Sequence, residues 1–174
     1  MIKLVSNKSG FSLIELIFVM IIAGFLVLVG SLGIMSAVNS YFSQKKNSET
    51  AYKGQLAMIR ISKEFRNIAE VNPGQGISSS IVYTIYRNGT PEIHKLSWAG
   101  TSGDPLLYDN FSNNGNTLVD SVKNFKLEYY DAYNDANPAS IWTSSSVMIG
   151  ITLELIGMDN ISAVFTGKIA PRNL

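Results

Sequence analysis

FSLIELIFVMIIAGFLVLVGSLGIMSAV, running from Phe11 to Val38, is the stretch that decides how the rest of the chain is read. Glu15 is its one ionisable side chain. A helix that crosses a bilayer needs about 20 apolar residues, so this segment is long enough to span one. The flanks, with Lys3 and Lys8 before it and Lys45 and Lys46 after it, balance one another. Local charge therefore leaves the orientation open, and an exported C-terminal region is the more economical arrangement.

Working outward, the whole chain has 174 residues, of which 46% are hydrophobic and 16% charged. Ordinary domains carry about a quarter charged residues, and the deficit excludes a disordered tail. Formal net charge is +1, from 14 Lys and Arg against 13 Asp and Glu. That is no field for collecting phosphates, so a nucleic-acid partner is not expected. With 0 Cys and 1 His, disulfide frameworks, thiolate nucleophiles and His/Cys zinc sites are excluded together.

Three readings compete for the apolar stretch. A secretory signal has an apolar core of about 7–15 residues and a small-residue cleavage site. This run is longer, and Met35-Ser36-Ala37 imitates such a site poorly. A plain signal anchor fits the length but has no use for Glu15. An acid at a membrane helix centre costs about 2.5–3.5 kcal/mol, less near an end, and such groups mark function. Glu15 either snorkels to the headgroups or awaits a cation inside an assembly. If the chain were cut after Gly10, Phe11 would carry a new ammonium four residues before Glu15, on the same helical face. Pairing within one chain would bend the first turn, whereas pairing with a neighbouring copy needs no distortion.

Lys8-Ser9-Gly10 followed by Phe11-Ser12-Leu13-Ile14-Glu15-Leu16-Ile17 resembles the leader and helix start of type IV prepilins and type II secretion pseudopilins. The resemblance covers about the first 30 residues. It implies cleavage between Gly10 and Phe11 by a prepilin peptidase, N-methylation of Phe11, and neutralisation by Glu15 of the terminal ammonium of an adjacent subunit. Major pilins generally carry a helix-breaking proline in this segment. Here none precedes Pro73, and only Gly24, Gly30 and Gly33 interrupt the apolar residues.

Beyond the membrane segment, Ala51, Met58, Ile61, Phe65 and Ile68 recur at helical spacing, and Pro73-Gly74 stops the pattern. One helix from about Ser12 to Val71 is expected, with an apolar stripe in its second half. The partner for that stripe is the C-terminal region, which reads as an antiparallel sheet of five or six strands. Strands are expected at 81–86 and 92–98, joined by Asn88-Gly89, with a weaker one at 106–108. Three more are expected at 122–130, 147–155 and 163–169, with Phe125, Leu127 and Tyr129 turned toward the helix. Loops fall at 99–117 and 131–146. The fold class is α+β: a long N-terminal helix, its first half transmembrane, packed on a C-terminal antiparallel sheet. The expected division is a cleaved leader at 1–10, a transmembrane or filament-core helix at 11–38, an exported half-helix at 39–72 and a sheet head at 73–174.

The order of these pieces, with Val122-Lys123-Asn124-Phe125-Lys126-Leu127-Glu128-Tyr129-Tyr130-Asp131 followed by Met148 to Leu155, looks like the minor pseudopilin J group and related minor pilins. The resemblance implies a non-enzymatic subunit of a type IV pilus or type II secretion pseudopilus, acting in assembly initiation or at the tip. Its partners would be other pilins or pseudopilins, the prepilin peptidase, an inner-membrane assembly platform and, before assembly, lipid. It would sit in the bacterial inner membrane with its C-terminal domain exported, then in the filament. The alternative is a filament-tip or membrane-anchored adhesin that binds through the two loops.

No nucleophile–base set can be assembled, and no cofactor motif occurs. His94, alone of its kind, reads as a surface or edge histidine. Asp131, Asn134, Asp135 and Asn137 could offer oxygens to Ca²⁺, but turns favour the same residue types, and no metal site is assigned.

Overall fold

A computed structural model describes Gly10, residues 12–110 and residues 115–172. Helix α1 spans Leu13–Arg66, 54 residues. Eight strands follow: β1 Ile68–Ile77, β2 Ser80–Arg87, β3 Thr90–Trp98, β4 Leu106–Asp109, β5 Asn116–Val119, β6 Val122–Tyr130, β7 Met148–Ile156 and β8 Ser162–Ile169. The chain divides into two units, Met1–Ser43 and Gln44–Leu174, and α1 contributes to both.

The first unit is helix from Leu13 onward and has no core. Its helical residues through Phe42 are all exposed, Leu13 at 80%. Helix continues unbroken through Gly24, Gly30 and Gly33, where an added Cβ would touch nothing. The Ser31 hydroxyl donates to the Leu28 carbonyl at 2.8 Å, which hides a polar group against the helix's own backbone.

The second unit holds the core. Its part of α1 buries Thr50, Gly54, Ala57, Ile61 and Phe65, a stripe at spacings of three and four. Against that stripe lie Ile81, Tyr83 and Leu96 from one sheet and Phe125, Leu127, Ile149, Ile151 and Leu153 from another. The Phe65 ring meets Tyr83 edge-on at 5.5 Å, the geometry that ring quadrupoles favour.

The architecture is the expected α+β, but among the described residues the antiparallel strands number eight and form two sheets rather than one. One has the order β1-β2-β3-β4-β5, the other β6-β7-β8. Backbone bonds join them: Leu127 N–H donates to the Ser78 carbonyl at 2.7 Å, and Gly103 N–H to Val122 O at 2.8 Å. The Tyr129 hydroxyl adds a third tie, to Ile77 O at 2.9 Å. Strand pairing was foreseen at 81–86 and 92–98, and the Asn88-Gly89 turn has the positive φ values, 52° and 80°, that a two-residue hairpin needs.

Two elements correct the expectations. Helix α1 ends at Arg66, not near Val71, so the expected boundary between 39–72 and 73–174 falls inside a strand. Asn67 closes the helix, its N–H donating to Glu64 O at 3.0 Å and its side-chain amide to Lys63 O at 3.1 Å. Arg172 N–H takes the Arg66 carbonyl at 3.1 Å. With these orphan carbonyls satisfied, the backbone is free to turn into β1. Ile68, counted as the end of the helical stripe, is fully buried but on β1. Pro73 is tolerated there because β1 is an edge strand whose register breaks between Val71 and Gly76. The second correction is β5, an unforeseen strand whose first two residues, Asn116 and Thr117, fall in the segment 99–117 expected to be loop.

Candidate functional site: the N-terminal segment and the exposed helix

Of the residues singled out for processing and assembly, Gly10 is exposed and outside any regular element. Phe11 lies outside the described residues, as do Lys3 and Lys8. Ser12 receives the first helical bonds: its carbonyl accepts from Glu15 N–H at 3.0 Å and Leu16 N–H at 3.2 Å. Glu15 therefore sits in the first turn of α1, exposed, where a carboxylate is favoured by the unpaired N–H groups and the positive end of the helix dipole.

The apolar surface behind Glu15 wraps the whole helix. Leu16, Ile17, Phe18 and Val19 are consecutive and each between 44% and 60% exposed, so no face is spared. A helix apolar all round is stable in a lipid or protein surround, not in water. α1 is long and apolar enough to cross a membrane, with a mean hydropathy of 2.8 over its most apolar window, none of which is buried.

The head places the remaining candidates differently from the sequence reading. His94 is neither at the surface nor at an edge: it is 2% exposed, on β3 between β2 and β4. Its Nδ1 is hydrogen-bonded to the Tyr108 hydroxyl and lies 3.8 Å from Glu64 of α1; its Nε2 lies 3.3 Å from Glu92. The ring stacks on Tyr83, and the Arg60 guanidinium lies 4.7 Å above the Tyr108 ring. Burial pushes the Tyr108 phenol up to about 12, with Glu64 adding to it, and raises Tyr83 in the same direction for the same causes. Buried and mutually satisfied, these groups fasten α1 to the sheet. The histidine is covered because β4, expected only as a weak strand, pairs with β3 and brings the Tyr108 hydroxyl to the ring, while α1 brings Glu64.

Asp131 and Asp135 are both engaged within the segment 131–146. Asp131 accepts from the Ser146 hydroxyl at 3.1 Å, and Asp135 from Asn137 N–H at 2.8 Å, an Asx turn. Among the described residues no group of three metal-ligating side chains comes together.

Lys53 of α1 donates to both carboxylate oxygens of Asp120 at 2.9 Å, just past β5, and this bond holds the Asp120 carboxyl below its ordinary value. Asn47 accepts from Met158 N–H at 2.8 Å.

Among curated proteins none matches the chain. Residues 5–31 match the prokaryotic N-terminal methylation motif, so the chain carries a prepilin-type leader, and Gly10, Phe11 and Glu15 all lie within the matched segment.

Proposed function

We propose that the protein is a structural subunit of a type IV pilus or type II secretion pseudopilus, a minor one, placed at or near the tip where assembly begins. One observation carries the reading: a helix exposed and apolar on every side, with one carboxylate in its first turn just after Gly10, inside a methylation motif. The chain is made as a prepilin in the inner membrane with its C-terminal unit exported. The prepilin peptidase cuts between Gly10 and Phe11, and Phe11 is N-methylated. The assembly platform then draws the helix out of lipid into a filament of other pilins or pseudopilins. Because lipid is as apolar as leucine, packing and charge pairing drive this transfer more than escape from water does. Glu15 supplies the pairing, meeting the terminal ammonium of a neighbouring subunit. The succession in the sequence of Val122 to Asp131 and then Met148 to Leu155 supports the minor pseudopilin J group and its relatives as the subgroup.

Glu15→Ala in the native host tests this. A charge-assisted hydrogen bond is worth about 1.5–3 kcal/mol, so incorporation into sheared filaments should fall by about tenfold or more while leader cleavage continues. Gly10→Ser should instead leave the leader attached. Unchanged incorporation of the Glu15→Ala chain would contradict the pairing. A second reading, an adhesin, is favoured by Tyr133, Ile141 and Val147, which are 82%, 53% and 49% exposed in and beside the loop 131–146. It predicts that deleting the gene leaves filaments intact but non-adherent.

A further inference from the structure

The sheet β6-β7-β8 has two edges, and they are treated differently. The outer edge of β6 is met by other backbone: Tyr129 exchanges bonds of 2.9 and 2.8 Å with Ala139, and Leu127 donates to Ser78. Among the described residues, no backbone bond reaches β8 except from β7. The parity of that edge can be read from the hairpin. Gly157 N–H donates to Ile161 O at 2.7 Å, and bonded and non-bonded pairs alternate along an antiparallel ladder. Through the unbroken register from Ile156↔Ser162 to Ile149↔Ile169, the main chain of Ala163, Phe165, Gly167 and Ile169 turns toward β7. That of Ser162, Val164, Thr166 and Lys168 turns outward.

Beside this bare edge, between β8 and the part of α1 in the same unit, are two adjoining depressions of about 440 and 660 Å³. The first is apolar, with Met58, Ile59 and Phe165 in its lining, and Ile59 is 66% exposed. The second is lined by Lys63, Arg66 and Arg172 and, among the described residues, by no carboxylate. None of these three cations takes part in an ion pair among the described residues.

We propose that the outer edge of β8 receives an extended segment of a partner polypeptide as a further strand. An apolar side chain of that segment would lie over Ile59, and an acidic one would lie among Lys63, Arg66 and Arg172. Main-chain bonds to the outward groups supply affinity in such an addition, and the alternate side chains supply specificity. Charge complementarity selects the occupant. A second copy of β8 carries Lys168 and no acid, so self-pairing would bring more positive charge to a site that lacks negative charge. This surface is independent of the N-terminal segment, and the inference goes beyond the pilin reading without resting on it.

The test uses the full chain in nonionic detergent micelles and a fluorescent peptide, Thr-Val-Thr-Glu-Thr-Glu-Thr, whose valine and glutamates share one face of a strand, beside its counterpart with Gln at both Glu positions. The glutamate peptide should bind, and the glutamine peptide about tenfold more weakly. Arg66→Glu with Arg172→Glu should abolish binding without moving the melting temperature of the head, because both side chains are exposed. Thr166→Pro removes one outward N–H and no bond to β7, and should abolish binding too. If that proline lowers the melting temperature, the double charge reversal decides alone. Equal binding of the two peptides, no binding of either, or binding that survives the charge reversal overturns the proposal. So does self-association of the wild-type chain that Thr166→Pro removes, since it assigns the edge to a second copy.

Discussion

At the scale of single residues, His94 and Tyr108 show how a polar group can sit in an apolar core when every neighbour is supplied. His94 has Tyr108 and Glu92 in reach of its two ring nitrogens, Glu64 close by and Tyr83 against its face. The arrangement has a signature in pH. Tyr108 is raised from 10.0 to about 12 in the folded state, so the folded chain holds its proton where the unfolded chain has lost it. Stability from this group is complete below pH 10 and falls as the pH climbs toward 12, by about 2 kcal/mol. Denaturant unfolding followed by near-ultraviolet circular dichroism at pH 9 and pH 11 should show the decline, and Tyr108→Phe should make it shallower, leaving the share that Tyr83 and Tyr129 contribute with the same sign. An identical slope in the variant would place the loss elsewhere. Single residues were also where the sequence was least legible. The carboxylate at Glu15 announced itself by standing alone in an apolar run, whereas the burial of His94 depends on Glu64 of α1, Tyr83 of β2 and Tyr108 of β4 meeting around it.

At the scale of elements, periodicity revealed what has a strong period. β6 and β7 were foreseen because Leu127 and Tyr129, and Ile149, Ile151 and Leu153, alternate with side chains on the other face. Val122 broke the pattern for a local reason: the register shift between Val122 and Asn124 returns it to the buried face. β1 was illegible because Pro73-Gly74 is a stop signal for a helix, and only the pairing partner β2 shows that the same residues bulge from a strand. The buried stripe of α1 was read through its large residues, but its closest approach to a sheet is at a small one. A Cβ on Gly54 would overlap the Phe165 ring. Helix propensity alone makes Gly54→Ala stabilising by about 1 kcal/mol. Overpacking of this kind costs about 1–3 kcal/mol, so the head should melt at a lower temperature than wild type. A higher melting temperature would show that α1 and β8 do not meet there.

At the scale of the molecule, two units have opposite economies. Gln44–Leu174 buries a core and ties its elements together with polar contacts, as Lys53 with Asp120 and Asn47 with Met158 illustrate. The helical residues of Met1–Ser43 bury almost nothing, and among the described residues Glu15 takes part in no ion pair. On the proposed function, such a segment is finished by its surroundings, first lipid and then other subunits. That division was readable from composition, because apolar residues without charges occupy one stretch and the turn residues occupy the rest. The central claim is that the working chain begins at Phe11, its amino group new and methylated, so that Glu15 has a cation to meet in a neighbour. The direct measurement is the mass of the N-terminal peptide of the chain purified from its native host. The account predicts a peptide starting at Phe11 with one added methyl group; a peptide starting at Met1 would contradict it.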